Sequence, residues 1–198
     1  MVTPGEETRI EKAVRVLSRD GLVVYPTETV YGLGADALSD MAVIKVFEAK
    51  QRPLGKPISV AVSDIEMIYG IADVTPLAER FIDKFLPGPV TILLPVKNCL
   101  PGDLWGGTGT IGIRYPDHAV ALELIAAFDS PITATSANIS GEISPVTVDQ
   151  VNVPHDFIID GGMLPGTPST VVNLDTGKIE RAGAMLNEVA DFLKENAR

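Results

Sequence analysis

The chain has 198 residues, of which 45% are hydrophobic and 21% are charged, and this balance excludes disordered and fibrous proteins. Its net charge of -10 disfavours non-specific adhesion to nucleic acid or anionic membranes, so an anion-binding site must be a local feature. Uncharged apolar stretches such as residues 90–96 are far shorter than the roughly 18 residues of a membrane span, and no membrane association is expected. The single cysteine, Cys99, excludes an internal disulfide framework and favours a cytoplasmic protein.

Apolar periodicity and capping residues predict five helices. Apolar side chains recur at helical spacing near the N-terminus, where Gly21 follows as a candidate C-cap. Ser39 or Asp40 is a candidate N-cap for a second helix, and Thr75, which precedes a proline, opens a third. The predicted helices cover residues 6–20, 39–50, 118–128 and 184–195, with the remaining one beginning at Thr75.

Short apolar runs rich in β-branched residues predict seven strands among these helices. They cover residues 22–25, 58–62, 90–96, 110–114, 132–135, 157–159 and 170–174. Helices and strands mix without strict alternation, which predicts an α/β fold built on a twisted, mixed sheet with flanking helices. No shift in composition marks a boundary, so we expect residues 1–198 to form a single domain.

Two glycine patterns, at residues 32–37 and 107–112, imitate dinucleotide fingerprints. A dinucleotide fold requires the first glycine directly after a strand and the last at the start of a helix, and neither pattern meets that requirement. The sequence also contains no Walker loop. His118 and His155 lie too far apart for a local metal motif, and neither accompanies a nucleophile in an elbow-like context, so we predict no bound metal ligated by the protein.

Hydroxyl, amide and cationic groups concentrate in loops beside apolar strands. The segments are residues 26–34, 50–57, 111–116 and 134–145, and shorter ones follow at 166–172 and 181–183. Small hydroxyl residues and glycines allow backbone and side-chain donors to approach a ligand closely. Segments of this composition are also common in ordinary turns, so each one alone is weak evidence for a site.

Cations are concentrated in two of these segments. Lys50, Arg52 and Lys56 lie within seven residues of an otherwise acidic chain, and the prolines after Arg52 and Lys56 favour extended backbone there. This loop suits a polyphosphate, and a solvated charge run is an equally good interpretation. Arg114 ends an apolar strand, which would place its guanidinium at the sheet edge, either to capture a carboxylate or phosphate or to form a structural salt bridge.

In their order along the chain, these segments resemble the YrdC-like family of threonylcarbamoyl-AMP synthases. The resemblance rests on residues 26–34, Lys50-x-Arg52, residues 87–91, Arg114, Ser136-x-Asn138 with Ser140-Gly141, and residues 169–172. It extends over residues 21–183 and implies a twisted α/β sheet with a concave, basic cavity. Because the chain ends soon after Arg181, it resembles the single-domain form that has no added C-terminal domain.

The resemblance implies a nucleotidyltransferase that converts L-threonine, bicarbonate and ATP into threonylcarbamoyl-AMP and pyrophosphate, with Mg²⁺ accompanying the nucleotide. In the family this reaction starts the threonylcarbamoyladenosine modification of tRNA. The expected partners are therefore the three substrates and a downstream tRNA threonylcarbamoyl transferase, with at most weak direct contact to tRNA. The carbamate of threonine is itself the nucleophile, so the protein needs only to position substrates and stabilise charge.

The matching motif positions imply roles for particular residues. Catalytic roles fall on Lys50 and Arg52. ATP contacts fall on Arg52, Lys56, Thr110, Ser136, Asn138 and Arg181, and threonine contacts fall on Thr29, Arg114 and Ser169, with Arg114 pairing the substrate carboxylate. The chain departs from the family pattern at Lys56, where many members have Asn, and at Ala61, where many have His.

Two other functions stay open at this point. One is a non-catalytic RNA-binding or regulatory module with the same cavity, and the other is a maturation domain that uses carbamoyl phosphate. The net charge of -10 argues against RNA, because affinity for RNA depends largely on neutralised phosphates. The maturation domain usually belongs to much longer chains.

Overall fold

Seven helices and nine strands form between residues 7 and 196, the part of the chain that the computed structural model describes. The helices are α1 (Arg9–Leu17), α2 (Asp40–Ala49), α3 (Ile65–Ile71), α4 (Pro76–Phe85), α5 (Gly102–Trp105), α6 (Ala119–Phe128) and α7 (Leu186–Glu195). The strands are β1 (Val23–Tyr25), β2 (Gly32–Gly34), β3 (Ser59–Ala61), β4 (Val90–Pro95), β5 (Thr110–Arg114), β6 (Ile132–Ser136), β7 (Phe157–Ile158), β8 (Thr170–Asn173) and β9 (Lys178–Arg181). None of these helices is long and apolar enough to cross a membrane.

The strands join into one mixed sheet in the order β7-β1-β2-β6-β3-β5-β4-β8-β9. The pairs β1/β7, β3/β5 and β4/β8 are parallel, and the other neighbours are antiparallel. The predicted α/β fold with a mixed sheet and flanking helices is therefore confirmed. Within this order, β5 lies between β3 and β4, which fixes the surroundings of Arg114 at its end.

Helices cover both faces of the sheet. Val23 and Tyr25 pack in a core cluster with α1 and α6, whereas Val24 packs in the larger cluster with α2, α4 and α7. Because successive side chains of a strand point to opposite faces, these two clusters lie on opposite sides of the sheet. Strand β1 is consequently buried on both sides, whereas β9 at the edge of the sheet is mostly exposed.

The helix ends follow the predicted capping chemistry in two cases and differ in a third. The Ser39 hydroxyl accepts from the Ala42 amide at the start of α2, and Thr75 caps α4 in the same way. After α1, however, the left-handed residue is Asp20, with φ of 55°, and not the predicted Gly21. Gly21 is required for a different reason, since a Cβ there would lie 2.5 Å from Cγ1 of Val16.

Four elements escape sequence-based prediction, namely α3, α5, β2 and β9. Strand β2 matters most, because its glycines were expected in a loop. Its pairing with β1 places both glycines against the ring of Tyr25, and a Cβ on Gly32 would lie 2.9 Å from Cζ of that ring. The strand therefore depends on a tertiary contact and not on its own residues' preference for extended structure.

Candidate functional site

A cavity of about 250 Å³ opens where loops leave the middle of the sheet. Its walls come from the segment after β1, the loop after α2, the end of β5, the loop after β6, and the start of β8 with the end of β9. Its polar and charged lining side chains are Thr27, Thr29, Lys50, Arg52, Ser59, Thr91, Arg114, Thr135, Ser136, Asn138, Ser140, Ser169 and Arg181. Four cations but no carboxylate of the described residues line it, which suits an anionic ligand.

Most of the residues singled out in the sequence meet at this cavity. The ones that line it are Thr29, Lys50, Arg52, Arg114, Ser136, Asn138, Ser169 and Arg181. Ala61, where the sequence departs from the family pattern, also lines it. The convergence is a consequence of sheet order, because β2, β6, β3, β5, β4 and β8 are successive neighbours.

Two of the predicted ATP contacts lie outside the cavity lining. Lys56 is exposed, and its backbone carbonyl accepts from Nε of Arg52 at 3.0 Å. Thr110 begins β5, at the opposite end of that strand from Arg114, and its neighbour in hydrogen bonding is Thr108. Neither residue lines the cavity, although the backbone of Lys56 contacts Arg52.

Arg114 is held so that part of its guanidinium stays available. Nη1 donates to the carbonyls of Gly88 at 2.7 Å and Val90 at 2.8 Å, and Nη2 pairs with Oε1 of Glu28. Within residues 7–196, the Nε hydrogen and the second Nη2 hydrogen have no acceptor. Two donors on one planar group are what a carboxylate needs for a bidentate contact.

Lys50 ties the end of α2 to the loop after β6. Its Nζ donates to the carbonyls of Ser136 and Asn138, and its own carbonyl accepts from the Ser140 amide at 2.9 Å. The side chain is buried, and burial lowers its pKa to about 8, with the charge of Arg52 adding to the shift. An ammonium has three donors, so one remains for the cavity.

Arg52 folds back on its own loop. Its Nε and Nη2 donate to the carbonyls of Lys56 and Pro57, and Nη1 approaches Oγ of Ser140 at 3.4 Å. The guanidinium therefore joins the loop after α2 to the loop after β6 at the cavity wall. In the basic segment, Arg52 therefore lines the cavity and Lys56 is exposed. Neither interpretation of the segment, a polyphosphate-binding loop or a solvated charge run, applies to all of it.

A hydroxyl and guanidinium network lies on the cavity wall formed by β4, β8 and β9. Oγ of Ser169 lies 2.7 Å from Oγ1 of Thr91, and Nη2 of Arg181 donates to Oγ of Ser169 at 2.9 Å and to its carbonyl at 2.9 Å. Thr91 is directly opposite Arg114 in the β4/β5 pairing. This network therefore connects Arg181, one of the predicted ATP contacts, with Ser169, one of the predicted threonine contacts.

Sequence reasoning misses several residues of the site, above all Thr27, Glu28, Thr91 and Tyr25. Thr27 and Glu28 lie in the polar segment 26–34, and Thr91 ends the motif at residues 87–91. The sequence pattern does not show which of these side chains point into the cavity. Tyr25 closes a buried strand, and burial raises the pKa of its phenol while its hydroxyl donates to the Thr133 carbonyl at 3.2 Å. Its ring forms part of the cavity wall.

The Sua5/YciO/YrdC family model, described as telomere recombination, matches residues 15–183. The chain belongs to this family. Among curated relatives, the threonylcarbamoyl-AMP synthase of Pyrococcus abyssi is 42% identical over 85% of this chain and 52% of its own length. The threonylcarbamoyl-AMP synthase of Bacillus subtilis is 38% identical over 92% of this chain and 55% of its own length.

A solved member of the Sua5/YciO/YrdC family shares the fold closely. The crystal structure of P. abyssi Sua5 complexed with L-threonine superposes with a TM-score of 0.89 at 38% identity, covering 96% of this chain and 58% of that one. The chain thus spans about half the length of these relatives. The resemblance is confirmed at the level of family and fold.

Proposed function

We propose that the chain forms threonylcarbamoyl-AMP and pyrophosphate from L-threonine, bicarbonate and ATP. The observation that carries the proposal is the guanidinium of Arg114, which keeps two free hydrogen-bond donors. It lies in the same cavity as Lys50, Arg52 and Arg181. One carboxylate and one polyphosphate are the anions that such a combination fits. The names of the related enzymes, which are threonylcarbamoyl-AMP synthases, support the same reaction.

In the proposed reaction, the amine of threonine adds to bicarbonate and water leaves, which gives a carbamate. A carbamate oxygen then attacks the α-phosphorus of ATP, and the bond from that phosphorus to the bridging oxygen breaks to release pyrophosphate. The nucleophile comes from the substrates, so the chain needs no activated side chain of its own. Its contribution is to hold two anions together and to neutralise charge that develops on the phosphates.

The ATP phosphates would lie between the two loops that Arg52 and Lys50 join, with Ser136, Asn138 and Arg181 around them. The remaining donor of Lys50 and the guanidinium of Arg52 offer charge-assisted hydrogen bonds there. Among residues 7–196, no group of three or more His, Cys, Asp and Glu side chains is placed to hold a metal ion. We therefore propose that Mg²⁺ enters as MgATP, held by the phosphate oxygens.

Threonine would bind with its carboxylate on the free donors of Arg114 and with Thr29 and Ser169 beside it. Both hydroxyl residues are buried and line the cavity. The product is a mixed anhydride, which transfers its threonylcarbamoyl group readily, so we expect a tRNA threonylcarbamoyl transferase to consume it. On this proposal the chain itself does not need RNA for the step.

The test is pyrophosphate release by the purified protein with MgATP, omitting one component at a time. Release is expected only when L-threonine and bicarbonate are both present, and adding tRNA should not change the rate. Release that ignores threonine would contradict the proposed reaction. No release, together with tight and salt-sensitive RNA binding, would instead favour the RNA-binding module.

A further inference from the structure

The segment after β1 contains two neighbouring threonine hydroxyls, and their contacts determine which one donates to the other. Oγ1 of Thr27 donates to the Val30 carbonyl at 2.7 Å and lies 2.8 Å from Oγ1 of Thr29. A threonine hydroxyl has a single hydrogen, and a carbonyl can only accept. The hydrogen of Thr27 is therefore committed to Val30, so Thr29 must donate its own hydrogen to Thr27.

This polarity leaves Thr29 as a pure acceptor. Its hydroxyl hydrogen is used on Thr27, and its oxygen has no other hydrogen-bond partner in the described part of the chain. Thr27 and Thr29 are 8% and 5% exposed, and both line the cavity. The free lone pairs of Thr29 thus select a ligand that brings a donor to this wall and disfavour one that brings only an acceptor or a methyl group.

The backbone holds Thr27 in place for this task. Oγ1 of Thr27 has two lone pairs, of which the Thr29 hydroxyl takes one at 2.8 Å. The longer contacts from the amides of Thr29 and Val30, at 3.1 and 3.3 Å, share the other and close a hydroxyl-capped turn. Glu28, between the two threonines, pairs with Arg114 and so ties the same turn to the proposed carboxylate site. Thr29 is consequently fixed in both position and polarity relative to Arg114.

We propose that Thr27 is a specificity-determining positioning residue, which keeps the Thr29 hydroxyl as an acceptor for the β-hydroxyl of the amino-acid substrate. This inference rests on the proposed function. A neutral oxygen whose own hydrogen is already donated matches a single O–H group. L-Threonine is then preferred over L-2-aminobutyrate, which keeps the methyl group and lacks the hydroxyl.

The experiment compares kcat/KM for L-threonine and L-2-aminobutyrate, measured by pyrophosphate release with MgATP and bicarbonate. Thr27→Val removes the acceptor for the Thr29 hydrogen, and the threonine preference should fall about tenfold, the effect of one hydrogen bond. The matched control Thr27→Ser keeps the hydroxyl and should keep the preference. If Thr27 acts through Thr29, Thr27→Val combined with Thr29→Val should lose no more preference than Thr29→Val alone.

Three results would overturn the inference while leaving the proposed function intact. They are an unchanged preference in Thr27→Val, as when both amino acids lose equally, additive losses in the double variant, and an unchanged preference in Thr29→Val. Thr29→Val leaves the backbone contacts of Thr27 in place, so it tests the acceptor even if Thr27→Val does not fold. An unmodified protein that releases no pyrophosphate with threonine would refute the proposed function itself.

Discussion

Glu28 and Arg114 form a buried ion pair across 86 residues of sequence, with side chains 14% and 8% exposed. The pair couples the turn after β1 to the end of β5, and it supports the guanidinium edge that faces the cavity. Of the two alternatives that the sequence left open for Arg114, the structural salt bridge is present. Capture of a carboxylate or phosphate by its remaining donors stays a prediction.

Removing the carboxylate should be costly because it leaves the buried positive charge of Arg114 without its partner. Glu28→Ala is expected to lower the free energy of unfolding by about 3 kcal/mol and to weaken threonine binding. The matched control is Glu7→Ala, which breaks the exposed pair of Glu7 with Arg15 and should cost under about 1 kcal/mol. Urea unfolding and calorimetric titration with threonine measure the two effects, and equal losses in both variants would contradict the structural role of Glu28.

Arg52 and Lys56, both in the loop after α2, should differ in their importance for activity. Arg52→Ala is expected to abolish pyrophosphate release, because its guanidinium lines the cavity and contacts the loop after β6. Its lost hydrogen bonds should cost only about 1–2 kcal/mol of stability. Lys56→Ala, the control at an exposed position outside the cavity lining, should retain activity within about threefold. A large loss of activity in Lys56→Ala would place the ATP contact where the family resemblance has it.

The buried ammonium of Lys50 should make stability depend on pH in a defined window. The folded chain releases this proton near pH 8, whereas the unfolded chain keeps it until the ordinary pKa of 10.5. The unfolded state therefore binds more protons between these values, so the free energy of unfolding rises with pH there. Urea unfolding should show this rise in the unmodified protein relative to Lys50→Met, which has no charge. A difference between the two proteins that stays constant from pH 8 to 10.5 would refute the lowered pKa.

Strand β2 should tolerate no side chain at its first glycine. Gly32→Ala puts a Cβ 2.9 Å from the ring of Tyr25, and the strain is expected to cost about 2 kcal/mol. Gly70, in α3, has no atom within 4 Å of the position that a Cβ would take. Gly70→Ala should therefore gain up to about 1 kcal/mol, since alanine favours helix more than glycine does. The midpoints of thermal unfolding measure both, and a stabilised Gly32→Ala would contradict the contact with Tyr25.

The sequence predicts what local patterns determine. Helices α2 and α4 begin where Ser39 and Thr75 predict, because their caps act on amides within three residues. The strand that ends at Arg114 is predicted with correct bounds, because its alternation of isoleucine and glycine is flanked by loops. Local chemistry of this kind needs no information about the rest of the fold.

What escapes prediction depends on contacts between distant segments. Glu28 is one of 26 acidic residues, and nothing near it in sequence indicates that its partner is Arg114. Strand β2 needs the Tyr25 ring, and the inward direction of Thr91 depends on its pairing with β5. Lys50 and Lys56 belong to one cationic segment, yet Lys50, directly after α2, is buried and Lys56 is exposed. This difference follows from where α2 ends and not from the residue types.

The cavity wall is assembled from side chains as far apart as Tyr25 and Arg181. Nearly every strand must be paired before this wall exists. The chain therefore loses the entropy of closing its long loops before any ligand can bind. No short fragment of the chain can therefore form the site by itself. For the same reason a ligand in the cavity stabilises the whole sheet against unfolding, by about 2.7 kcal/mol at a hundred times its Kd, and protects distant strands from proteolysis and hydrogen exchange.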